Sequence, residues 1–89
     1  MLFSVYLLLS INYQKKITYV GYTNNLKKRL LLHNSSKGAK FTKGKKWKLI
    51  YSKKYTTKSI AMKEEYKLKK NYKLRNLIKE KYLKKINGL

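Results

Sequence analysis

The sequence predicts an α+β domain, a small three-stranded antiparallel sheet flanked by helices in the order β-β-α-β-α-α. Two short runs rich in apolar, β-branched and aromatic residues open the chain around a polar turn. Stretches of helical periodicity behind asparagine or threonine caps follow, with one further strand between them. At 89 residues and 43% apolar composition, the chain supports one modest core.

Phe3 to Leu9 and Ile17 to Tyr22 read as the first two strands, joined by a polar turn around Asn12 to Lys16. The apolar stretch Met1 to Ile11 lacks a basic start and an A-x-A-like cleavage site, and it is too short to span a bilayer. It reads as a buried strand carrying Tyr6, with no membrane association. Asn24 or Asn25 can cap a helix running to about Asn34. Ser35 to Lys46 is a basic loop. Trp47 to Ser52 reads as a third strand, with Trp47, Leu49 and Tyr51 alternating against Lys48, Ile50 and Ser52. Thr56, Thr57 or Ser59 can start a second helix through about Tyr72, and Leu74 to Lys85 suggests a third. No repeat or linker interrupts this order, so residues 1–85 form one domain and 86–89 a short tail.

The chain has no cysteine, which excludes disulfides and cysteine-based zinc sites and fits a reducing compartment. Its charge is extreme: 24 Lys and Arg against 3 acids, a net +21. Such a chain binds polyanions through phosphate neutralisation and counterion release. Lysine enrichment also follows from an A+T-rich coding sequence, but three acids leave almost nothing to balance the positive charge.

Arg29 and His33, four residues apart on the first helix, share a face. Tyr6 and Tyr19 come from strands just before it, so two phenols, a guanidinium and an imidazole can converge on one patch. Arg29 is one of two arginines, and its planar fork suits a phosphate better than an ammonium does. His33 is the only histidine; a lone histidine is more often a capping or partly buried residue than a catalyst. The acids are only Glu64, Glu65 and Glu80. Ala61, Glu65, Leu68 and Tyr72 recur as one helical stripe, which puts Glu65 on the inward face and Glu64 on its flank; Glu80 reads as an ordinary surface residue. Spacing alone leaves two readings for Glu65, a structural ion pair and a metal ligand. Lys37, Lys40, Lys43, Lys45 and Lys46, interspersed with Phe41 and Trp47, can grip a nucleic-acid backbone or stack a base, with Trp47 read as core.

These residues fall into one motif. Ser4-Val5-Tyr6 and Tyr19-Val20-Gly21 are followed by Thr23, Asn25-Leu26, Arg29 and His33-Asn34. Then come Lys37-Gly38-Ala39-Lys40-Phe41-Thr42, Trp47-Lys48-Leu49-Ile50-Tyr51 and the segment from Ala61 through Glu65 to Lys69. The arrangement resembles the GIY-YIG nuclease superfamily over roughly residues 3 to 80, and is most like its small, single-domain bacterial members. Serine replaces the first motif glycine, and valines replace both isoleucines. The serine matters only where the backbone needs a positive φ or a close approach.

The resemblance implies the same fold and an endonuclease that hydrolyses phosphodiester bonds in DNA with one divalent metal, Mg²⁺ or Mn²⁺. Structure-specific cutting in repair or recombination, in the cytoplasm and at the nucleoid, is the corresponding expectation. Tyr6, helped by His33 and Tyr19, would activate water; Arg29 would stabilise the pentavalent phosphate; Glu65 would hold the metal. An unperturbed phenol titrates at about pH 10, so a tyrosine base needs a strongly positive setting. The rival reading is a non-catalytic basic RNA- or DNA-binding protein, ribosome- or nucleoid-associated. A third is a nuclease fold that needs a protein partner, since larger relatives carry added DNA-binding domains.

Overall fold

The computed structural model describes residues 1–12 and 15–87. Its elements are β1 (Phe3–Asn12), β2 (Lys15–Thr23), α1 (Leu26–Asn34), a 3₁₀ turn (Lys40–Thr42), β3 (Lys48–Tyr55), α2 (Lys58–Lys70) and α3 (Tyr72–Ile86). The predicted order and class hold. The centre of the first turn, Tyr13 and Gln14, and the tail residues Gly88 and Leu89 lie outside the described residues.

The sheet order is β2-β1-β3, with both pairings antiparallel. Placing the most apolar strand in the middle explains why its sequence does not alternate. Ser4 through Ser10 are all buried because both faces of β1 are covered. On one face Val5 and Leu7 join Val20, Ala61 and Leu68, beneath α2 and α3. On the other, Tyr6 and Leu8 join Trp47, with Tyr19, Leu26 and Leu30 packed alongside. Helices α1 and α2 therefore flank opposite faces of the sheet.

The alternation expected in β3 fails at one point. Leu7 pairs with Tyr51 but Leu8 pairs with Leu49, so Ile50 is an extra residue in the ladder. A bulge reverses which side chains face inward. Ile50 and Tyr51 both pack on the Val5–Leu7 cluster, and Leu49 is 36% exposed. Trp47 lies just outside the strand yet is buried, as expected of a core residue.

Each helix begins on a side-chain cap. Asn25 Oδ1 accepts from Lys28 N at 3.1 Å, Thr57 Oγ1 from Ile60 N at 3.1 Å, and Asn71 Oδ1 from Leu74 N at 3.0 Å. Such caps stabilise a helix by about 1 kcal/mol each. Asn71 also closes α2, because its N–H bonds the carbonyls of Lys67 and Leu68. The second helix thus stops at Lys70, and Tyr72 starts α3 with its side chain exposed. It does not extend the Ala61–Leu68 stripe. Arg75 Nε donates to Leu68 O at 3.2 Å, tying α3 to the end of α2. Among the described residues, no helix is long and apolar enough to cross a membrane.

Candidate active site

Tyr6 sits in the middle of β1, opposite Gly21 of the edge strand β2. Its ring lies over that glycine so closely that a Cβ there would fall 2.3 Å from Tyr6 Oη and 2.5 Å from Cζ. The phenol reaches the last turn of α1, where Oη is 2.8 Å from His33 Nε2. His33 is fully buried, and its Nδ1 is 2.8 Å from Thr42 Oγ1. Thr42 Oγ1 in turn donates to Ala39 O at 2.8 Å. Gly38 clears the other side of the imidazole, since a Cβ there would stand 2.5 Å from Nδ1.

The basic loop is fastened to this pair by two further links. Trp47 Nε1 donates to Thr42 O at 3.0 Å. Asn34 brackets the Trp47 backbone, accepting from its N–H at 2.6 Å and donating to its carbonyl at 3.1 Å. The loop is therefore part of the site's wall as well as a bearer of charge.

Tyr19 packs edge-on to His33 with ring centroids 5.2 Å apart, and stacks on Phe41 at 6.0 Å and 19°. Phe41 is half-exposed. Lys37, Lys40, Lys43 and Lys46 are exposed around it. Lys45 is half-buried, with Nζ 3.3 Å from Phe41 O and 5.4 Å from the Phe41 ring centroid.

Burial pushes the Tyr6 phenol above its ordinary pKa, so the resting group keeps its proton. Arg29 opposes this by favouring the phenolate, while Tyr19 and Glu65 disfavour it. His33 is pushed below its ordinary value, first by burial and then by the Arg29 charge, and so is neutral at physiological pH.

Glu65 comes from α2, on the opposite face of the sheet from the Tyr6–Trp47 cluster, and its charge disfavours the Tyr6 phenolate. Its side chain is 18% exposed and borders an open groove with Tyr22, Met62 and Tyr66. Its Oε1 is 3.7 Å from Lys69 Nζ, too long for a hydrogen bond. Glu64 is more exposed, at 31%, and pairs with Lys67 at 3.2 Å. Among the described residues no three His, Asp or Glu side chains gather into a metal cage. A divalent cation would therefore rest on one carboxylate with water and substrate oxygens, a donor set that suits Mg²⁺. Glu65, half-buried and loosely paired, fits that part.

Tyr6, Tyr19, Arg29 and His33, the residues selected from sequence, thus stand around one buried hydrogen bond. Ser4 is ordinary extended backbone: only Ser36 and Gly44 have positive φ among the described residues. Sequence reasoning misses Thr42, because a lone threonine in a lysine-rich loop carries no periodic signal. Its only mark in the sequence is membership of the Lys37–Thr42 segment.

The profile of the GIY-YIG catalytic domain matches residues 2–82. The chain belongs to the GIY-YIG family. Relatives include a UPF0213 protein of Oceanobacillus iheyensis, 52% identical over 57% of this chain and 60% of its own length. A UPF0213 protein of Bacillus licheniformis is 47% identical over 73% of this chain and 65% of its own. UPF0213 protein YazA of Bacillus subtilis is 49% identical over 58% of this chain and 54% of its own. The matches thus span about half to two-thirds of these relatives' lengths. No solved structure shows a significant match. GIY-YIG domains are endonuclease domains and are generally divalent-metal dependent.

Proposed function

We propose that this chain is a metal-dependent, structure-specific endonuclease that hydrolyses phosphodiester bonds in DNA, in repair or recombination at the bacterial nucleoid. The observation that carries the reading is the buried Tyr6–His33 hydrogen bond beside Arg29. Burial keeps both groups neutral at rest, so the pair can accept a proton during reaction.

As water attacks phosphorus, its proton passes to Tyr6 Oη while the phenol's own proton moves to His33 Nε2. Arg29 holds the phosphate oxygens through its planar fork. Once paired with phosphate, its charge no longer opposes the imidazolium that His33 becomes. Tyr19 braces the imidazole edge. The Glu65 carboxylate would hold Mg²⁺ or Mn²⁺. When bound, that cation would supply Lewis-acid stabilisation of the phosphate and leaving oxygen, and its charge would reverse the field Glu65 casts on Tyr6. Lys37, Lys40, Lys43, Lys45 and Lys46 follow the backbone without reading bases, and the open side of Phe41 offers a surface for an unpaired base.

The net charge of +21 also favours a non-catalytic RNA- or DNA-binding role. Incubating the protein with linear, nicked, flapped and branched DNA in Mg²⁺, Mn²⁺ or EDTA separates the readings. The nuclease cuts with metal and stops in EDTA, and Tyr6→Phe loses most turnover while still binding DNA. A protein that binds every substrate and cuts none is the non-catalytic rival or a nuclease awaiting a partner, and activity restored by cell extract points to the partner.

A further inference from the structure

We infer that Thr42 is a positioning residue: its hydroxyl locks His33 in the Nδ1–H tautomer, leaving Nε2 as the atom that takes the Tyr6 proton. The tautomer follows from counting protons along the chain Ala39–Thr42–His33–Tyr6. A carbonyl oxygen only accepts, so the 2.8 Å contact between Thr42 Oγ1 and Ala39 O consumes the single hydroxyl proton of Thr42. What Thr42 then offers His33 is a lone pair. At 2.8 Å, Nδ1 must be the donor. Neutral imidazole has one N–H, so Nε2 is bare and its 2.8 Å partner Tyr6 Oη must donate to it.

The opposite assignment fails on the same distances. If Thr42 gave its proton to Nδ1, its oxygen and that of Ala39 would face each other at 2.8 Å with no proton between them. Nε2–H would then donate to Tyr6, whose own proton would have no partner in a side chain that is 1% exposed. Among the described residues, Thr42 Oγ1 is the one hydrogen-bond partner that Nδ1 has. Gly38 lies against Nδ1 without a side chain, and His33 and Thr42 are both fully buried. The lock is held in place by backbone: Thr42 N bonds Ala39 O at 3.1 Å, and Thr42 O receives Trp47 Nε1 at 3.0 Å. Both use the Thr42 backbone, so neither is removed by Thr42→Val or Thr42→Ser.

The catalytic consequence rests on the nuclease reading; the tautomer does not. Positioned general acid–base groups contribute roughly 10²–10⁴-fold to a rate, and an imidazole in the wrong tautomer forfeits that contribution. Thr42→Val keeps the shape but removes the acceptor, and Thr42→Ser keeps the hydroxyl. Because His33 is the only histidine, imidazole ¹⁵N resonances of the labelled, metal-free protein belong to one residue. The expected spectra show Nδ1–H in wild type and Thr42→Ser and a shift toward Nε2–H in Thr42→Val, with DNA cleavage falling about a hundredfold in the valine variant alone. An Nε2–H wild type, or a valine variant that keeps the wild-type tautomer whether or not cleavage falls, overturns the lock. If Thr42→Val does not fold, the wild-type and serine spectra still decide. A tautomer that moves as expected in a protein that cuts no DNA, with or without cell extract, leaves the lock standing and removes the nuclease reading instead.

Discussion

Replacing Gly21 with alanine probes the closest approach in the site. The added methyl would begin 2.3 Å from Tyr6 Oη and 2.5 Å from Cζ, where ordinary contact needs about 3.4 Å, so the phenol must yield by about 1 Å. The ring has little room for this. It is 1% exposed, packed with Leu8 and Trp47, and bonded to His33 at 2.8 Å. Overpacking of this kind costs about 1–3 kcal/mol, and each kcal/mol lowers the melting temperature of a domain this size by about 4–8 °C. The same displacement pulls the hydroxyl from His33, and an error of about 1 Å in a catalytic group costs about a hundredfold in rate. Thermal unfolding and single-turnover cleavage of a flapped DNA measure the two effects, with binding in EDTA as the check that the DNA surface survives. Gly44→Ala is the control: its φ of +78° adds backbone strain, but nothing lies within 4 Å of the new methyl, so stability should fall slightly and cleavage should not. A Gly21→Ala protein with wild-type melting and turnover would refute the placement of the phenol.

Three other outcomes are expected. Glu65→Gln should abolish metal-dependent cleavage with DNA binding intact or tighter, whereas Glu64→Gln, exposed and paired with Lys67, should cost little; a dead Glu64 variant beside an active Glu65 variant reverses the assignment. DNA affinity, followed by anisotropy, should fall roughly a thousandfold between 50 and 200 mM salt if six or more phosphates are contacted, and a shallow slope would make most of the lysine incidental. Because the His33 pKa lies below 6.5 in the folded chain, the unfolded chain protonates first as pH falls. The stability due to neutral His33 is thus complete above pH 6.5 and lost progressively below it, and the acid limb of cleavage should also lie below 6.5. In His33→Gln that part of the stability slope should vanish, and an unchanged slope would assign it to other groups.

Much of this architecture is readable from local chemistry. The unbroken apolar run of β1 indicates a strand covered on both faces, and Asn25 and Thr57 mark helix starts because their side chains can satisfy free backbone N–H groups. Arg29 and His33 share a face by helical geometry alone. The misses are tertiary. The bulge at Ile50 is a property of the pairing with β1 and leaves no trace in the residues of β3. Asn71 serves two helices at once, so a stripe that by spacing alone runs on to Tyr72 is cut one residue earlier. Thr42 matters because of what lies on either side of it in space, Ala39 and His33, and a single hydroxyl has no period to reveal that.

The distribution of the acids has a consequence for folding itself. Among the described residues the only ion pairs, Glu64–Lys67 and Glu65–Lys69, lie within α2, so no salt bridge joins one element to another. Apolar contact and hydrogen bonds hold the sheet and helices together against the mutual repulsion of 24 cationic side chains. A bound polyanion relieves that repulsion in the native state, and a ligand at a hundred times its Kd adds about 2.7 kcal/mol to stability when it binds only the folded chain. A nucleic acid that binds the folded chain would then act as its folding ligand: occupancy should raise resistance to heat and proteolysis, and a weakened core should be best tolerated there.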